Sequence, residues 1–181
     1  LKELDNNFSN LRKHWLNDDY VKFIRYGQHY IENNGSGLMA FINPHGFLDN
    51  PTFRGMRWNL LKTFDKIYVI DIHGNSNKKE TSPDGSADEN VFDIRQGVSL
   101  NFFIKKEKKK SNELGKVYHF DLYGKRKFKY DFLESKSINQ LQYSELNPKG
   151  PNYFFIPFDN SKYEKYNKGF KLDDLMQKHI T

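Results

Sequence analysis

The chain has 181 residues, 29 Lys and Arg against 23 Asp and Glu, a formal net charge of +6 and no cysteine. That length fits one domain, or one domain with an appendage. The missing cysteine excludes disulfide frameworks and thiolate metal sites, and no apolar run is long enough to cross a bilayer.

Only 36% of the residues are hydrophobic, but 16 Phe and 11 Tyr let a few positions bury much area, so a packed core is expected. The basic excess points weakly to an anionic partner such as nucleic acid. No charged-then-apolar leader is visible, and a cytoplasmic location is expected. The chain opens on Leu1 rather than Met, so it reads as a piece of something larger.

Leu4, Phe8, Leu11 and Trp15 recur at spacings of four, three and four, a helical stripe in a lead-in over 1–17. A helix starts at about Asp18, capped by Asn17 or Asp18, and stops at Asn33-Asn34-Gly35. The run Gly37-Leu38-Met39-Ala40-Phe41-Ile42 predicts a strand buried on both faces. Residues 52–64 predict a second helix with Phe53, Met56, Leu60, Leu61 and Phe64 on its buried side and Thr52 as its cap. Ile67 to Ile72 is a second, β-branched strand. Helix, strand, helix, strand with short links means an α/β sheet built by crossovers.

A polar loop spans 73–90, and loops of that length usually have a function or a mobile role. Val98 to Ile104 predicts a third strand and Lys116 to Tyr123 a fourth, antiparallel to it and joined through the Lys105–Lys110 run and a turn at Ser111–Gly115. After Gly124 the pattern becomes irregular. Phe128, Tyr130, Phe132 and Leu133, then Tyr153 to Pro157, read as short extended pieces, and Leu172 to Ile180 as a final helix. The expected organisation is a lead-in at 1–17, an α/β unit at 18–123 and a further region at 124–181.

Familiar catalytic patterns are missing. There is no Gly-x-Ser-x-Gly elbow, no Gly-x-x-x-x-Gly-Lys loop and no Gly-x-Gly-x-x-Gly after a strand. None of the six histidines pairs at a His-x-x-x-His spacing, so no metal site is expected. Asn43-Pro44 is either a ligand-binding turn at a strand end or an ordinary strand stop, and the second reading is the commoner. Arg54 and Arg57 lie three apart on one helix face, either for phosphate contact or as a solvated face. Asp71 either orients His73 or caps loop amides. Lys78, Lys79 and Arg95 make the edge beside it positive, which favours phosphate contact.

Taken in order, Gly37 to Asn43, Phe47-Leu48, Pro51 to Arg57, Phe64 to Asn75 and Asp88 to Val98 resemble the stretch after the catalytic motif in N6-adenine DNA methyltransferases. The stretch looks like that of large single-chain restriction–modification enzymes of the type ISP or type IIG kind, and the resemblance covers about residues 18–106. The resemblance implies a partial Rossmann-like methyltransferase sheet: the second half, with crossover helices, two parallel strands and a C-terminal antiparallel hairpin. It implies S-adenosylmethionine in the parent protein and a flipped adenine.

The family's aromatic-x-Gly-x-Gly turn and Asn-Pro-Pro-aromatic motif are absent here, and Asn43-Pro44-His45-Gly46 departs from the latter. No catalytic residue and no cofactor binding by this chain alone are therefore expected. Phe92 is similar in place to an aromatic that packs against the flipped base; its other reading is a core residue between strands. Arg54, Arg57, Lys78, Lys79 and Arg95 are candidates for contacts to double-stranded DNA. The other partners expected are the missing N-terminal half and a second copy of the fragment, through an uncovered strand edge. The alternative function is a stand-alone, non-catalytic nucleic-acid-binding or protein-interaction module.

Overall fold

The computed structural model describes residues 15–106 and 113–159, with 161, 165, 168 and 169. The stripe through Leu4, Phe8 and Leu11, most of the Lys105–Lys110 run and the final helix lie outside these residues.

Helix α1 (Asp19–Asn34) leads into strand β1 (Gly37–Pro44), helix α2 (Arg54–Thr63) and strand β2 (Lys66–His73). Strands β3 (Val98–Lys105) and β4 (Lys116–Asp121), helix α3 (Arg126–Ser135) and strand β5 (Ser144–Leu146) follow. Gly35 closes α1 at φ 84°, a left-handed geometry that suits a residue with no Cβ. Asp18 precedes α1 without a side-chain cap. Asn50, not Thr52, caps the turn into α2, accepting from Thr52 N at 2.9 Å.

The strands form one mixed sheet in the order β1-β3-β2-β4-β5. β1 and β2 each pair antiparallel with β3, so they run the same way, joined by the α2 crossover, with β3 inserted between them. β4 lies parallel to β2. The result is a mixed α/β fold compatible with a partial Rossmann-like sheet.

The expected hairpin between the third and fourth strands does not form. β3 spends both edges on β1 and β2, so β4 passes over β2 and adds to its free side. Its antiparallel partner is β5. A second correction concerns 126–135, read as extended and found as α3. Its side facing the sheet carries Lys129 with Phe132 and Leu133, and a buried lysine at the centre of that face hides the helical period.

The α1/α2 side of the sheet holds the larger core, with Ile24, Phe47, Leu60, Leu61, Phe64, Val69 and Phe103 all at or below 1% exposure. Each such side chain contributes about 1.5–3 kcal/mol by leaving water. The buried stripe predicted for 52–64 is observed in full, at Phe53, Met56, Leu60, Leu61 and Phe64. On the opposite side, Ile70, Ile72, Val98 and Leu122 pack with half-buried Phe120, Phe132 and Leu133 beneath α3. The 123/124 boundary falls between β4 and α3. β5 and the fully buried Phe155 return across it to the sheet and the larger core.

β1 is not buried on both faces. Met39 and Asn43 are buried, whereas Leu38 is 63% and Ile42 46% exposed. It is one of the two edge strands among the described residues, and α3 packs over β2 and β4 instead.

Candidate functional site

Strands β1, β2 and β4 share a direction, so their carboxyl ends meet at one edge of the sheet, where ligands of open α/β sheets bind. Polar side chains replace the apolar core at that end. Asn101 of β3 donates to Asn43 Oδ1 at 3.0 Å and to Ser99 Oγ at 2.9 Å.

Beside them is a network centred on Asp71. His45 Nδ1 donates to Asp71 Oδ1 at 2.9 Å, and His45 Nε2 accepts from Asn75 Nδ2 at 3.1 Å. The His73 backbone amide also donates to Asp71 Oδ1, at 3.0 Å. Of the two readings the sequence left open, Asp71 fulfils the second: it binds a loop amide, while its distance of 3.8 Å from His73 Nδ1 is too long for a hydrogen bond.

His73 lies at φ 57°, followed by Gly74 at φ 79°. This left-handed pair turns the chain sharply off β2, and a Cβ at Gly74 would strike the backbone of Asn90. The turn brings His73 Nδ1 to Glu80 Oε1 at 3.2 Å and Nε2 to Asp121 Oδ1 at 2.8 Å. Tyr123 stacks on its ring at 3.8 Å between centroids. Burial disfavours the imidazolium, but the hydrogen bonds to Asp121 and Glu80 and the charge of Asp71 outweigh it and raise the His73 pKa to about 9. For Glu80, burial opposes ionisation, while His73 and the Asn75 amide favour it and hold the carboxyl down at about 2. The two residues form a charged pair at neutral pH. A cleft of about 310 Å³ opens above them, bordered also by Asp49, Lys78, Ile156 and Pro157.

A second set of bonds fixes the loop that follows. The Asp88 carboxylate accepts from the Gly74 and Gly124 amides at 2.6 and 2.7 Å and from Lys129 Nζ at 2.8 Å, the last pair with both side chains fully buried. Lys129 also donates to Ile72 O and Glu89 O, at 2.7 Å each. Arg126 Nε donates to Asn90 O at 2.7 Å and Nη2 to Phe92 O at 3.1 Å. Tyr130 donates to Val91 O at 2.6 Å. Helix α3 therefore clamps 88–92 with three side chains.

The clamp displays Phe92. It is 41% exposed, which removes its reading as a core residue between strands. Its amide donates to Asn90 Oδ1 at 2.9 Å, and Asn90 in turn donates to Gly74 O. Lys78, Lys79 and Arg95 are exposed on neighbouring parts of the same loop; Lys78 reaches Asp49 at 3.4 Å, and Ser76 donates to the Arg95 carbonyl. Arg54 is half-buried at the start of α2.

Arg57 must be taken out of this set. Its side chain is fully buried and donates to Phe47 O, Asn50 O and Asn152 O at 2.6–2.9 Å. Burial lowers its pKa to about 9, with Asp49 opposing, so it stays charged at neutral pH. It ties α2 to the 45–53 turn and to residue 152, and its burial keeps it out of reach of a phosphate.

Sequence reasoning missed Glu80, Asp88, His119, Asp121, Arg126 and Lys129. The parallel register sets Asp71 beside Asp121 and Val69 beside His119, so the signal appears only once that pairing is known. The expected absence of a metal site rested on spacing along the chain. The strands instead gather two His/Asp groups, His45–Asp71–His73 and Asp71–His119–Asp121.

No family model matches the chain, and neither does any curated protein. Solved structures do match it. The chain is similar to the ATP-dependent Type ISP restriction–modification enzyme LlaBIII bound to DNA, at 28% identity and a TM-score of 0.73, over 91% of this chain and 11% of that one. It is similar to a DrdV–DNA complex at 26% identity and a TM-score of 0.64, over 75% and 13% of the two chains. A nuclease-deletion mutant of the Type ISP enzyme LlaGI, with a DNA substrate mimic, shares the fold at 21% identity and a TM-score of 0.65, over 82% and 12%. The chain thus spans 11–13% of the length of these proteins. The likeness is consistent with a fragment of a Type ISP restriction–modification enzyme.

Proposed function

We propose that this chain is the C-terminal half of an adenine-specific DNA methyltransferase region in a restriction–modification enzyme. In this reading it supplies DNA and flipped-base contacts but does not transfer the methyl group by itself. The observation that carries the reading is the sheet order: two strands of one direction joined by a crossover helix, with an antiparallel strand between them. That arrangement is similar over 91% of the chain to LlaBIII, which is bound to DNA.

The described residues do not fit S-adenosylmethionine. The strand ends carry Asn43-Pro44-His45 and His73-Gly74-Asn75, filled with mutually bonded His, Asp and Asn side chains, and no aromatic-x-Gly-x-Gly turn follows any strand. The cofactor belongs, in this reading, to the preceding half. That half would pair with the outer edge of β1 and cover Leu38 and Ile42.

Lys78, Lys79, Arg95 and Arg54 would neutralise phosphates, which fixes position without reading sequence. Phe92 is held out by a hydrogen-bonded loop, so its ring loses little freedom on meeting an unstacked base.

The test joins the gene to its product. The open frame upstream of the Leu1 codon is read and the whole polypeptide expressed. The expected result is transfer of a labelled methyl group from S-adenosylmethionine to adenine in DNA by the whole polypeptide and none by the 181-residue chain. A stop and a start signal just before Leu1, with DNA binding by the chain alone, would establish a non-catalytic module in place of this reading.

A further inference from the structure

Three histidines stand at the polar end of the sheet, and two have both ring nitrogens engaged. His45 bonds Asp71 and Asn75; His73 bonds Glu80 and Asp121. His119 differs. It is 2% exposed, and its Nε2 has no hydrogen-bond partner among the described residues. A buried polar atom left in that state costs about 1–3 kcal/mol, so its surroundings need an explanation.

The register places the ring's other nitrogen, Nδ1, beside carboxylates. Asp71 and Asp121 sit side by side on β2 and β4, and His119, two residues before Asp121, projects to the same face. One donor atom from each of the three lies within 4.8 Å of the others. His119 Nδ1 is 3.6 Å from Asp121 Oδ2. That is too long for a hydrogen bond. Around an ion with ligands at about 2.1 Å, however, two tetrahedral ligands stand about 3.4 Å apart. The Asp121 carboxylate is divided accordingly: Oδ1 holds His73, and Oδ2 faces His119.

We propose that Asp71, His119 and Asp121 form a binding site for a divalent first-row transition ion of the zinc class. One imidazole with two carboxylates is a borderline donor set that suits such ions. Asp71 and Asp121 both border the cleft, and Asp121 is 39% exposed, so the ion has a path in. Once bound, it would tie the end of β2, where the 74–97 loop departs, to the end of β4.

The experiment uses the full 181-residue chain and Co²⁺ as the probe, read by its visible absorption and by equilibrium dialysis. One equivalent is expected, displaced by Zn²⁺. His119→Gln is expected to weaken Co²⁺ binding at least about tenfold with unchanged circular dichroism, and His29→Gln, on the exposed side of α1, to leave it unchanged. In the unmodified chain, Mn²⁺ is expected to broaden the resonances of His119 and Asp121 before those of His29, a readout that needs no variant to fold. Absence of stoichiometric binding overturns the proposal. So does binding that survives His119→Gln but is lost in His45→Gln, which would assign the ion to the other cluster.

Discussion

Strands β1 and β2 are both eight residues long and both apolar in sequence, yet the fold treats them differently. β2 is paired on both edges and has six buried residues, whereas β1 is paired on one edge and has two. The apolar residues of β2 are buried by β3, β4, the helices on one side and α3 on the other. Those of β1 divide, with Met39 turned into the core and Leu38 and Ile42 outward. Burial is therefore set by neighbours rather than by a strand's own composition, and β1 retains the composition of a strand covered on both faces. The largest expected difference is in stability. Phe103→Ala, on β3 where it is paired with both β1 and β2 and at 0% exposure, should cost about 3–5 kcal/mol. Ile42→Ser should change stability by about 0.5 kcal/mol or less, and the two melting temperatures measure both.

The polar end of β2 supplies the next contrast. Lys129→Met leaves the Asp88 carboxylate buried without its cation and should cost about 3–5 kcal/mol, read by chemical denaturation. The exposed i,i+4 pair of Lys127 and Asp131 on the same helix should give less than about 0.5 kcal/mol when broken.

A smaller effect depends on pH. The Glu80 carboxyl is depressed from 4.5 to about 2 in the folded protein. Its contribution to stability is complete above pH 4.5 and is lost as pH falls towards 2. Denaturation series across that window should show the loss, and Glu80→Gln should flatten it.

Association tests the open edge directly. An apolar strand with one edge unpaired among the described residues invites pairing with another chain, so sedimentation of the isolated protein should show concentration-dependent self-association that Ile42→Lys reduces. A compact monomer at all concentrations would mean that β1 needs no cover. The smallest effect is at the loop beyond β2: Lys78→Gln and Lys79→Gln should each lower the slope of log affinity for duplex DNA against log salt by about 0.9. Arg57→Gln should leave the slope unchanged in whatever fraction folds.

Much of the sheet was legible in the residues. The Gly35 stop, the β-branched run at 67–72 and the apolar spacing at 53–64 are local patterns, and local sterics and burial periods determine α1, β2 and α2 directly. The polar loop and its lysines were legible for the same reason. α3 was not, because Phe128, Tyr130 and Phe132 imitate a strand's alternation while Lys129 takes the buried position only because Asp88, Ile72 O and Glu89 O satisfy its ammonium.

Arg54 and Arg57 look alike on a helix face three residues apart. Only the approach of the carbonyls of Phe47, Asn50 and Asn152 makes Arg57 an internal tie. The meeting of Asp71, His119 and Asp121 needs the parallel pairing of β2 with β4, which in turn depends on β3 having already used both its edges. The sequence by itself determined the elements, their polarity and the basic loop, because those follow from contacts within a few residues. Only the tertiary structure decided which strand lies beside which, and hence which charges are buried, because pairing is a competition for edges among residues 25 to 68 positions apart.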